Sequence, residues 1–129
     1  MLRARLGFIA PSFIVSNVSR TIAFYREKLG FETYFQEPES DPFFAIVQRD
    51  GVMIFVKAVE GAEPRPNSSA HPWVKWDAYV SVPDPDALAE EFAAGEGSFH
   101  QELGITSEGL LGFEVCDPDG YVLFFGRPK

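Results

Sequence analysis

The stretch Asp50-Gly51-Val52-Met53-Ile54-Phe55-Val56 and the stretch Asp119-Gly120-Tyr121-Val122-Leu123-Phe124-Phe125 are one pattern written twice. Each opens on an Asp-Gly turn, where glycine supplies the positive φ, and runs on into five apolar residues of strand-forming type. The match extends beyond one hairpin. Val15 and Val82, which end the strand that opens each half, are 67 residues apart, and Gly51 and Gly120 are 69 apart. Register kept that closely over such a length marks an internal repeat, so the chain reads as two copies of one supersecondary unit.

Working outward, residues 8–15 read as a strand with Pro11, Phe13 and Val15 on one face and Ala10, Ser12 and Ile14 on the other. Pro11 implies a free edge or a bulge there. Asn17 or Ser19 can cap a helix running to Leu29, with Ile22, Ala23, Tyr25, Arg26 and Leu29 at helical spacing and Gly30 as its stop. Short strands follow at 31–35, 43–48 and 52–56, a meander. Residues 60–72 are rich in Pro, Ser, Glu and Ala without an apolar period, and read as a linker. The order then returns. A strand at 77–82 turns Ala78, Val80 and Val82 one way and Asp77, Tyr79 and Ser81 the other. A helix capped by Asp84 or Asp86 runs through Leu88, Ala89, Phe92 and Ala93 to Gly95, and strands fall at 112–116 and 121–125. Segment 98–110 carries no decisive pattern. The expectation is an α+β fold of two βαβββ units, about 5–59 and 73–127, joined by a linker of about 60–72 in a single domain, 1–129.

At 129 residues and 46% hydrophobic content, the chain can bury one sizeable core and has no room for a second domain. Thirteen Phe residues are more than such a core needs, which points to aromatic surface lining a cavity or an interface. A net charge of -8 repels phosphate backbones and anionic lipid, so nucleic acid and membrane are not expected partners, and a cationic ligand is favoured. Cys116 is the lone cysteine and reads as a small hydrophobe in a strand. No apolar run approaches the roughly twenty residues of a membrane span, and the N-terminus lacks a signal-peptide pattern. A cytoplasmic location is expected.

Two phrases carry a resemblance: Ile14-Val15-Ser16-Asn17-Val18 followed by Ile22-Ala23-Phe24-Tyr25-Arg26-Glu27-Lys28-Leu29-Gly30-Phe31, and the closing Cys116-Asp117-Pro118-Asp119-Gly120-Tyr121-Val122-Leu123-Phe124-Phe125. Spaced as they are, they resemble the vicinal oxygen chelate superfamily of glyoxalase I, extradiol dioxygenases and the fosfomycin and bleomycin resistance proteins. The resemblance implies two βαβββ units curled into an incomplete mixed β-barrel around a concave pocket, in a homodimer. In metal-dependent members, ligands stand on the first and last strand of each unit. Those positions fall here on Ala10, Phe55, Asp77 and Phe124, and one carboxylate among them cannot hold a divalent ion. No metal and no cofactor are expected. His71 and His100 have no partner at ligand spacing, and no Gly-x-Ser-x-Gly elbow or phosphate loop is present.

Rings at ligand positions point instead to a pocket that stacks a flat molecule, with Phe55, Tyr79 and Phe124 as walls and Ser12 and Trp76 beside them. Among the superfamily's branches the pattern is most similar to the metal-free bleomycin resistance proteins. That branch implies antibiotic resistance by sequestering an aromatic, cationic ligand at a dimer interface. A second reading is a lyase-like or dioxygenase-like enzyme with Asp77 as general base, which desolvation between rings would tune. A third is a structural dimer with Phe55 and Phe124 packed against each other. Trp73 and Trp76, at the linker exit, are expected at the interface.

Overall fold

The computed structural model describes residues 2–129 and resolves the repeat into two four-stranded mixed sheets. The first unit consists of β1 (Ser12–Ile14), α1 (Val18–Leu29), β2 (Glu32–Glu37), β3 (Phe44–Arg49) and β4 (Val52–Lys57). Its strands lie in the order β1-β4-β3-β2, with β1 parallel to β4 and the others antiparallel. After α2 (Asn67–Ala70) come β5 (Ala78–Ser81), α3 (Pro85–Ala94), β6 (Gln101–Ile105), β7 (Leu110–Cys116) and β8 (Val122–Pro128). These repeat the arrangement as β5-β8-β7-β6, with β5 parallel to β8. The two sheets are separate and do not close into a barrel. Both halves are therefore βαβββ units, as the internal repeat requires.

Local chemistry sets the helix ends. The Asn17 side chain accepts the Arg20 N–H at 2.9 Å to start α1, and Gly30, at φ 74°, ends it by giving its N–H to the Tyr25 carbonyl. Asp84 accepts the Ala87 N–H and Pro85 stands in the first turn of α3, where its missing donor costs nothing. Strand alternation then decides what each helix covers. Phe13, Ala45, Val47, Ile54 and Val56 turn to α1 and are buried with Ile22, Tyr25 and Leu29; Phe113, Val115, Leu123 and Phe125 are buried with Phe92 of α3.

Besides shifts of one to three residues at strand ends, three segments differ from the sequence reading. The first strand spans Ser12–Ile14 instead of 8–15, because Pro11 has no N–H to extend the ladder, and residues 2–9 run exposed beyond it. The linker contains one helical turn at Asn67–Ala70, tied by the Asn67 side chain, which donates to the Trp76 carbonyl. Segment 98–110 contributes β6, all of it exposed, with only Leu103 and Ile105 as apolar residues, too few to mark a period.

The units are clasped at two places. Near the closing turn, Phe13 stacks on Tyr121 at 4.2 Å, Tyr121 Oη donates to the Ile14 carbonyl at 2.6 Å, and Asp119 accepts from Ser16 and Arg20. Elsewhere Arg49 makes a two-pronged bond with Glu91 at 2.8 and 2.9 Å while donating to the Leu29 carbonyl. No helix among the described residues is long and apolar enough to cross a membrane.

Candidate functional site

Each sheet keeps one face free of its helix, and pleat parity decides which residues stand there. On the second sheet one row across the strands is Tyr79, Phe124, Glu114 and Gln101, and the next is Ser81, Gly126, Gly112 and Gly104. The glycines give the Phe124 ring room to lie down along the sheet. A Cβ on Gly112 would stand 2.6 Å from that ring, and one on Gly126 2.5 Å from it. Trp76 stacks on Phe124 with centroids 4.2 Å apart, Tyr79 lies alongside at 5.6 Å, and Phe124 is left 1% exposed. The Trp76 indole N–H donates to Glu114 Oε2 at 2.9 Å. Glu114 is 8% exposed, and its other oxygen is 3.9 Å from His100 Nε2. The result is a flat aromatic stack beside a buried carboxylate.

The matching face of the first sheet carries Ser12, Phe55, Ile46 and Phe35 in one row. Phe44 meets Phe55 edge-on at 5.8 Å and Phe35 at 6.1 Å, and Phe35 and Phe43 are about half exposed. This face is aromatic and open, and it lacks a buried carboxylate in the Phe55 row.

Trp76, Tyr79 and Phe124 thus come together, while Phe55 and Ser12 pair on the other sheet. Among the described residues Phe55 makes no aromatic contact with Phe124. Asp77 stands apart from the rings. Its Oδ1 accepts the Asn67 N–H at 2.7 Å and its Oδ2 the Val122 N–H at 2.8 Å, which ties the linker to β8. With Ser12, Arg65 and Tyr121 it borders a polar cleft of about 720 Å³. A second, apolar cleft of about 570 Å³ lies between the units beside Arg49 and Glu91, lined by Phe31, Val80, Leu88 and Phe125. Trp73 is 75% exposed and rests against His71. Glu114 was not singled out by sequence, and His100 was read as having no partner at ligand spacing, whereas its Nε2 faces Glu114. The signal for Glu114 was a lone carboxylate inside the apolar run Phe113-Glu114-Val115, with the parity of Phe124.

Where the units meet, Asp117 is 5% exposed and accepts the Asp119 and Tyr121 N–H groups at 2.9 Å each, with Tyr25 Oη at 3.4 Å. Burial pushes its carboxyl up to about 6, and burial with the Asp117 charge raises the Tyr25 phenol well above its usual value. Among the described residues no group of three or more His, Cys, Asp or Glu is placed to hold a metal ion. Rings on both faces can stack a flat molecule, and on the second sheet Glu114 can accept a hydrogen bond from one.

A model of the Glyoxalase/Bleomycin resistance protein/Dioxygenase superfamily matches residues 5–125. Among solved structures, a bleomycin-binding protein from bleomycin-producing Streptomyces verticillus, complexed with copper(II)-bleomycin, is similar at 27% identity and TM-score 0.71, over 99% of this chain and 100% of that one. TioX from Micromonospora sp. ML1 is similar at 18% identity and TM-score 0.73, over 94% and 98%. A glyoxalase-related enzyme from Clostridium phytofermentans shares the fold at 12% identity and TM-score 0.74, over 98% of both chains. No curated protein matches the chain by sequence.

Proposed function

The chain belongs to the Glyoxalase/Bleomycin resistance protein/Dioxygenase superfamily, and from that premise we propose that it is a metal-independent, cytoplasmic binding protein of bleomycin-resistance type. It sequesters a flat, cationic small molecule between the open sheet faces of a homodimer. The observation that carries this is the Trp76, Phe124 and Tyr79 stack beside the buried Glu114. Stacking rewards a planar ring, and the carboxylate, in a molecule of net charge -8, favours a positive one. The likeness to a bleomycin-binding protein at 27% identity supports the same class of ligand.

An enzyme with Asp77 as general base is the weaker reading, since backbone N–H groups already occupy both Asp77 oxygens. The test is calorimetric titration with metal-free bleomycin and with copper(II)-bleomycin, beside zinc, nickel and manganese ions alone. Saturable heat from the drug is expected, weakened about tenfold in Tyr79→Ala through loss of one stacked ring. No heat from either drug form would sink the bleomycin assignment, and heat from the bare ions would sink metal independence.

A further inference from the structure

We propose that Trp76 is the built-in occupant of the ring slot on the second sheet, and that Glu114 restricts what can replace it to planar molecules bearing N–H donors or a positive charge. The inference rests on the binding reading above and names the chemistry that its site selects. Three observations carry it. First, the floor is shaped for a ring: Phe124 lies along Gly112 and Gly126, where any side chain would collide with it. Second, what lies on that floor is itself a flat bicyclic ring, the Trp76 indole, 4.2 Å from Phe124 and tilted by 26°. Third, the indole is latched by polarity as well as by stacking, through its N–H donated to Glu114 Oε2 at 2.9 Å.

The latch makes the slot selective. Glu114 is 8% exposed, so a molecule that pushes the indole aside without offering a donor leaves a buried carboxylate short of its partner. A planar cation or an amino-substituted heteroaromatic restores both the stack and the hydrogen bond. A flat hydrocarbon restores only the stack, and a flat anion adds repulsion. Rejection of ligands lacking the donor is a stronger filter than apolar shape alone. His100, 3.9 Å from Oε1 and half exposed, is free to turn outward as the slot fills. Trp76 is anchored at its backbone, where its carbonyl accepts the Asn67 side-chain N–H, so its ring can swing while the linker stays in place.

The probe is proflavine, a flat tricyclic cation with amino donors, against anthracene sulfonate, an anion with a ring system of the same size. Nitrogen-15 spectra of the whole protein show the two indole N–H signals, assigned with Trp73→Phe; Trp73, 75% exposed, gives the reference for an indole in water. Proflavine is expected to move the Trp76 signal to that reference and speed its exchange with solvent. Proflavine should bind about tenfold tighter to Trp76→Ala and about tenfold weaker to Glu114→Gln, and anthracene sulfonate at least tenfold weaker than proflavine. Proflavine binding with the Trp76 signal unmoved overturns the occupant role, and does so without any variant. Weaker binding to Trp76→Ala makes Trp76 a wall of the pocket and also overturns it, while the binding reading stands. Unchanged affinity in Glu114→Gln overturns the selection by charge. No proflavine binding to either wild type or Trp76→Ala overturns the inference; the binding reading itself falls only if the bleomycin titration is silent too.

Discussion

Asp117 sits 5% exposed between the units, and burial raises its carboxyl to about 6 against the ordinary 3.8. Because the folded value lies above the unfolded one, the folded state holds the proton more tightly. The stability it contributes is full below 3.8 and is lost as pH rises through 6. Between pH 4.5 and 7.5 that loss comes to about 2 kcal/mol. Asp117→Asn keeps an oxygen for the Asp119 and Tyr121 N–H groups and offers an N–H to Tyr25, so it removes the titration and spares the bonds. Urea unfolding at the two pH values should show the wild type gaining about 2 kcal/mol on the variant as pH falls. A parallel shift of both proteins would place the titration elsewhere. Residue-level legibility was uneven for a physical reason. Two-residue strand parity placed Phe13, Ser12 and Tyr79 on their faces and the family's ligand positions pointed to Phe55 and Phe124, but the bonds that occupy Asp77 and Glu114 come from residues 10, 45 and 38 positions away, which no local pattern encodes.

At the scale of elements, Gly112 of β7 and Gly126 of β8 oppose each other, and the space their missing side chains leave is where the Phe124 ring lies. A Cβ on Gly126 would meet the Leu111 carbonyl and the Phe124 ring at 2.5 Å each, so backbone as well as side chain must give way. Gly126→Ala should destabilise by about 2 kcal/mol or more and weaken the near-ultraviolet dichroism of the Trp76 and Phe124 stack. A variant as stable as wild type with that dichroism intact would contradict the flat placement of Phe124. Gly30→Ala makes a milder test of a cap: at φ 74° it should cost about 1 kcal/mol in urea unfolding. Caps and turn glycines are local, so both long helices and the repeat could be read from sequence. The strand β6 could not, because it is exposed along its whole length and carries only Leu103 and Ile105 as apolar residues, too short an alternation to mark a strand. The short turn α2 escaped for a different reason: beside the local Ser69 bond to the Pro66 carbonyl, it is held by ties from Asn67 to Trp76 and Asp77, which no local pattern encodes.

For the whole molecule, the unmatched feature is apolar surface. Leu2, Leu6, Phe8 and Ile9 ahead of β1 are 61% to 100% exposed, and Tyr34, Phe35 and Phe43 are 46% to 63% exposed on or beside the open face of the first sheet. Scattered exposed hydrophobes need no explanation, but aromatic residues continuous with the Phe44 and Phe55 cluster form a patch of the sort that interfaces cover. Excess Phe in the composition already pointed to such surface, whereas its position required the sheet. The homodimer proposed above accounts for it if the two open faces meet across a twofold axis. Phe35→Asp with Phe43→Asp tests this, since both side chains are already about half exposed and the change should cost the monomer little. Buried against a second copy, the same two carboxylates would be desolvated and without partners, at a cost of several kcal/mol. Sedimentation equilibrium at micromolar protein should find a dimer for wild type and a folded monomer for the double variant. If the ligand sits between the faces, bleomycin affinity falls with the dimer. A variant that stays dimeric would move the interface off this face, and a monomeric variant that binds the drug as tightly as wild type would confine the site to one chain.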